Sequence, residues 1–88
     1  MVNQHAITET YCADIEVTDT FSGEANYCWV RRSMIRIPTY ASRRSIVRRV
    51  KAEIGWTGVP CNVDDCGDML TIRPRGVCQV CFVTYSNG

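Results

Sequence analysis

Between Tyr11 and Thr18 the chain alternates without a break. Tyr11, Ala13, Ile15 and Val17 fall on one side, and Cys12, Asp14, Glu16 and Thr18 on the other. A period of two with an apolar side is the signature of a strand with one buried face. A turn around Phe21-Ser22-Gly23-Glu24 follows, and NYCWVRRSMIRI reads as a second strand, so the pair forms a hairpin. Two registers compete. If Ile15 faces Val30, then Cys28, Val30 and Met34 join the core face, Tyr27, Trp29 and Arg31 lie outside, and Arg31 stands opposite Asp14. A slip of one residue turns Tyr27 and Trp29 inward. The first register is preferred because it keeps Arg31 out of the core.

Pro38 ends the second strand. Ser42 is an N-cap, residues 43–54 read as a helix, and Gly55 closes it. Ile46, Val47, Val50 and Ile54 form one stripe at helical spacing, while Arg44, Arg48 and Lys51, flanked by Arg49, line the opposite face. Short β segments follow, separated by turns at Asp64-Asp65-Cys66-Gly67 and Pro74-Arg75-Gly76. The expected fold class is α+β: a small antiparallel sheet with one amphipathic helix packed on it, in the order ββαβββ. With 88 residues the chain is expected to form a single domain over 1–88, with residues 1–9 a mobile N-terminus. A composition of 45% hydrophobic and 22% charged residues excludes wholesale disorder.

Six cysteines raise the question of metal. Cys61-x4-Cys66 followed by Cys78-x2-Cys81 has a zinc-like spacing. The turn that would aim two sulfurs together is missing, because Cys78 and Cys81 sit in the β-branched run VCQVCFVTY with neither Gly nor Pro between them. Positions three apart in a strand face opposite sides. Cys78 is therefore expected to be a small buried hydrophobe beside Val80 and Phe82. No metal and no cofactor are expected, and a zinc-stabilised interaction module ranks third among the functional readings. In a reducing compartment the cysteines would be thiols.

Catalytic candidates are few. His5 is the sole histidine and lies in the N-terminal segment, so no Cys-His or Ser-His-Asp set can be assembled around it. Asp64, Asp65 and Asp68 crowd a turn but lack the further oxygen ligands of a calcium loop. No Gly-rich phosphate loop is present. A non-enzymatic protein is expected.

The charge distribution is the remaining signal. Residues 1–30 carry −5, residues 31–51 carry +8 and residues 52–88 carry −2, which sum to the net +1. Nine of the ten basic residues are Arg, whose planar fork suits carboxylates, phosphates and aromatic rings. A basic helix face is most often only a solvated face. Here, however, Arg43 and Arg44 occupy the first helical turn, where the macrodipole disfavours cations, and no acid stands four residues from Arg44 or Arg48 to relieve the repulsion. A choice that weakens the helix points to a partner that supplies negative charge. The residues expected to bind it are Arg43, Arg44, Arg48, Arg49 and Lys51, supported by Arg31 and Trp29 from the hairpin.

In GEANYCWVRR (23–32), AEIGWTG (52–58) and GDMLTIRPRGVCQVCFVTY (67–85) the chain resembles small phage- and prophage-encoded proteins. That resemblance implies a protein that binds and blocks a host protein or ribonucleoprotein complex, as anti-CRISPR inhibitors do. It transfers no individual residue roles. A strongly acidic DNA mimic is excluded by the charge balance. The alternative is a small nucleic-acid-binding domain using the same basic face, with Tyr27, Trp29 or Trp56 stacking on bases. Self-association of the acidic hairpin with the basic helix is a further option. No run reaches the roughly 20 apolar residues of a membrane span and no secretory signal is visible, so a complete cytoplasmic product is expected.

Overall fold

The computed structural model describes residues 10–86, so His5 and the segment 1–9 lie outside the described residues. The elements are β1 (Thr10–Phe21), β2 (Glu24–Pro38), α1 (Arg43–Ile54), β3 (Cys61–Asp65), β4 (Met69–Pro74) and β5 (Gln79–Ser86). All five strands join one sheet in the order β2-β1-β5-β4-β3, and every neighbouring pair is antiparallel. The last strand therefore returns to lie against the first. Both of these inner strands are deeply buried, with Ala13, Val80, Cys81 and Val83 fully shielded from solvent.

The expected α+β class is corrected by these proportions. Among the described residues, strands of 12, 15, 5, 6 and 8 residues stand against a single helix of 12. The described residues are mostly β, an antiparallel sheet carrying one short helix. That helix gives the core only Ile46 and Val50 as buried residues, and the strand its backbone approaches most is β2. The sheet supplies the rest: Ala13, Ile15 and Val17 of β1, Ile37 of β2, Leu70 and Ile72 of β4, and Cys81 and Val83 of β5, with Trp56 closing the cluster. These are the residues that share one side of the pleat.

The hairpin register is also corrected. Ile15 pairs with Ser33, Asp14 with Met34 and Val17 with Arg31. Val30 and Met34 therefore leave the core face, and Arg31 shares the face of Val17 instead of standing opposite Asp14. The face has room for Arg31 because it lies beside the helix C-terminus, around a small hollow lined by Val17, Arg31, Arg32, Ser33, Glu53 and Ile54. Arg31 as a whole stays exposed there.

Two local devices set this register. Ser22 and Gly23 both have positive φ, 55° and 84°, which is the turn geometry that matches the twist of a hairpin. Then Thr20 faces Ala25 while Thr18 faces Val30, so the single residue Asp19 stands against the four residues 26–29 in an enlarged bulge. Asp19 Oδ1 accepts the backbone N–H of Cys28 at 2.8 Å, and Oδ2 accepts Asn26 Nδ2 at 2.9 Å. Thr18 Oγ1, buried, donates to Trp29 O at 2.8 Å. These bonds hold Tyr27 in the left-handed region at φ 58°.

Cys78 and Cys81 exchange the roles expected of them. β5 begins at Gln79, so Cys78 is exposed in the preceding turn, and Cys81 points into the core. The strand starts late because Cys78 O accepts Thr20 N at 3.0 Å beyond the paired segment, and Gln79 N donates to Val77 O at 2.9 Å in a tight turn.

Candidate docking surface

The helix starts and stops where its end residues require. Ser42 is extended, and its hydroxyl accepts the N–H of Ser45 at 3.2 Å. Gly55 takes φ 82° and its N–H bonds to Lys51 O, a left-handed closure that costs a side-chain-bearing residue about 1 kcal/mol or more. Trp56 N also donates to Lys51 O, at 2.7 Å, which turns the indole back into the core. Trp56 is thus unavailable as a base-stacking residue.

No acid occupies the first turn of α1. Arg43, Arg44, Arg48 and Lys51 line one open groove of about 970 Å³, with Val47 and Ala52 from the same helix, Thr57 and Gly58 from the following loop, and Val63 from β3. Lys51 Nζ donates to Val59 O at 2.6 Å, and this bond ties the loop to the helix as a wall of the groove. Arg43 Nη1 lies 3.1 Å from Asp65 Oδ2 across the opposite lip. Both side chains of that pair are substantially exposed, so it adds about 0–1 kcal/mol. Arg44 and Arg48 have no ion pair among the described residues.

The remaining expected residues lie elsewhere. Arg49 points along the flank of the helix, its Nε donating to Ser45 Oγ at 3.2 Å, and does not line the groove. Arg31 and Trp29 sit together on the hairpin, with the guanidinium carbon 5.3 Å from the ring centroid, inside cation–π range. The one acid–base pair within the hairpin is Glu16 with Arg32, at 3.0 Å, and not Asp14 with Arg31. Sequence reasoning missed the apolar part of the groove, Val63 and Ala52. A signal was present for Val63, since alternation in the segment CNVDD places it on the side opposite Asn62 and Asp64.

Burial pushes the Cys81 thiol up to about 12, with nearby Cys61 adding to the effect. Such a thiol stays protonated and is a poor nucleophile and metal ligand. Among the described residues, no three His, Cys, Asp or Glu side chains come together as a metal site. Asp65, one of the three turn acids, instead accepts Gly67 N at 2.9 Å and pairs with Arg43. No described helix is long and apolar enough to cross a membrane. No family model, curated protein or solved structure matches this chain.

Proposed function

We propose that this chain is a binding protein that receives an acidic, partly apolar segment of a partner in the groove beside α1. One observation carries the reading: Arg44 and Arg48 flank an apolar floor of Val47, Ala52 and Val63 with no acid among the described residues to pair them. Carboxylates of a docked segment would take the two guanidinium forks, and its apolar residues would cover the floor. Arg43 and Lys51 shape the lips of the groove through their bonds to Asp65 and Val59, so they matter more for its form than as free charges. In the reading that the phage resemblance suggests, the protein acts stoichiometrically, blocking a host protein or ribonucleoprotein complex by occupying its surface.

The test is a titration with an amphipathic acidic peptide, with short single- and double-stranded DNA and RNA in parallel, across a range of salt. Peptide binding that disappears in the double variant Arg44→Glu, Arg48→Glu, with its circular dichroism unchanged, supports the proposal. Nucleic-acid binding with a log–log salt slope of several units would replace the partner class with phosphates. Peptide binding that survives both substitutions would remove the groove as the site.

A further inference from the structure

The two edges of the sheet differ. β3 is an edge of five residues, entered through Pro60 and ending in Asp64 and Asp65, and so offers little length for another strand. β2 is an edge of 15 residues, and from Val30 to Pro38 it pairs with β1 without interruption. At about 3.4 Å per residue that regular part is about 27 Å long. In an antiparallel ladder, alternate residues of an edge strand turn their N–H and C=O away from the sheet. Among the described residues the only loop backbone that bonds to this stretch is Ala41 N, which donates to Pro38 O at 3.0 Å. Among the described residues the outer ladder of residues 30–37 is open.

Its side chains narrow down what can close it. Arg31, Arg32, Met34 and Arg36 are exposed, and residues 30–38 include no acid. Arg32 has Glu16 beside it but keeps 74% of its side chain exposed, and among the described residues the side-chain partner of Arg36 is the hydroxyl of Thr10, at 3.2 Å. A second copy of this chain is a poor occupant. Laid antiparallel and centred between Ser33 and Met34, it sets Arg31 against Arg36, and centred on Met34 it sets Arg32 against Arg36. Like charges directly opposite destabilise such a pairing. An acidic strand meets the reverse condition at each of these positions.

We infer that β2 is a strand-addition site for an extended acidic segment of a partner protein, which joins the sheet as a sixth strand outside Val30–Ile37. Main-chain hydrogen bonds supply the attachment. Carboxylates facing Arg32 and Arg36 select the partner, with apolar residues beside Met34 or Ile35. This surface is separate from the groove beside α1, and either can exist without the other.

The probe is a blocked eight-residue peptide of alternating glutamate and valine, titrated into the full chain and followed by NMR. Expected are shifts and slowed amide exchange along β2 that persist when Arg44→Glu and Arg48→Glu remove the free charges of the groove, and no binding to β2 by the lysine–valine counterpart. The same peptide N-methylated at alternate residues cannot complete a ladder and is expected not to bind. Arg36→Glu is expected to weaken binding at β2 about tenfold, which is 1.4 kcal/mol, whereas Arg44→Glu with Arg48→Glu leaves the β2 shifts and their affinity unchanged. Absence of binding at β2, equal binding there of the N-methylated peptide, or perturbations at α1 alone would each overturn the inference.

Discussion

Asp19 Oδ1 accepts the backbone N–H of Cys28 at 2.8 Å, across a stretch where one residue of β1 faces four of β2. The carboxylate replaces the ladder bonds that the bulge removes. It takes a second donor from Asn26 and lies 3.3 Å from the Thr18 hydroxyl, which itself bonds to Trp29 O. A β-strand that gains residues in this way usually bends and re-aims its side chains. Here Tyr27 and Trp29 become exposed rings at the broad end of the hairpin.

A pH dependence follows from this arrangement. The Asn26 amide, aided by the Cys28 N–H, holds the Asp19 carboxyl below its ordinary 3.8. A folded-state value below the unfolded one means that stability is present above pH 3.8 and is lost as pH falls beneath it. Asp19→Ala is expected to be less stable than the parent near neutrality and to lose less on acidification through that window. Urea midpoints measured on either side of it are the check, and parallel losses in both proteins would remove Asp19 from the account.

Tyr27 gives a backbone test of the same bulge. An L-residue at φ 58° carries a cost of about 1–2 kcal/mol that glycine avoids. Tyr27→Gly removes that cost but frees the unfolded chain by a similar amount, so its stability is expected to stay within about 1 kcal/mol of the parent. Tyr27→Val adds a branched Cβ in the same region and is expected to lose about 1–2 kcal/mol. Chemical denaturation of the pair tests the order, and equal midpoints would mean that the bulge relaxes.

Val50 is the helix's only fully buried residue, and it sits in the core with Ile46 and Trp56. Val50→Ala is expected to cost about 1.5–3 kcal/mol, and Ile72→Ala, deep in β4, about 2–5 kcal/mol. Domains of this size rarely exceed about 5–15 kcal/mol in total, so either change is visible in thermal unfolding. If α1 is an attachment on a sheet that stands by itself, amide exchange in Val50→Ala accelerates in residues 43–54 more than in β1 or β5.

Thiol chemistry should divide the cysteines by position. Cys28, Cys66 and Cys78 are exposed, Cys61 is half-buried, and Cys12 and Cys81 are buried. Alkylation of the native protein near pH 8, read by mass spectrometry, is expected to modify the first three quickly and the last two only after unfolding. The raised thiol of Cys81 adds a second effect. Its folded value of about 12 exceeds the ordinary 9.0, so the native state retains a proton that the unfolded chain releases. Stability is whole below pH 9.0 and falls as pH climbs from there toward 12. Cys81→Ala should flatten that alkaline decline.

The ends of α1 were legible in the sequence because capping is local: Ser42 and Gly55 act within a few residues of themselves. The hairpin register was not, because it depends on residues 26–29 being held off the ladder by Asp19. Alternation counts residues and cannot show that several of them fall out of step. The same limit misplaced Cys78, since a β-branched run marks a strand but not where its pairing begins. Overall class failed for a different reason. A helix and five strands can be read in order, but how little of the core the helix supplies depends on packing across the sheet. Of the basic residues expected to act together, Arg43, Arg44, Arg48 and Lys51 line one groove, Arg49 lies on the flank of the helix, and Arg31 lies with Trp29 on the hairpin.

Arg44 separates stability from binding most sharply. It stands in the first turn of α1 with no acid nearby on the helix, so it opposes the macrodipole, and Arg48 lies four residues on with the same sign. Arg44→Glu reverses both terms. The free protein is expected to gain about 0.3–1 kcal/mol, seen as a higher urea midpoint at low salt and a smaller gain at high salt. The same substitution places a negative charge on the lip of the groove and should weaken an acidic peptide there at least about tenfold, or 1.4 kcal/mol. A more stable protein that binds less well means that the unpaired cation is kept for a partner. A more stable protein whose binding is unchanged means that the groove is a solvated face.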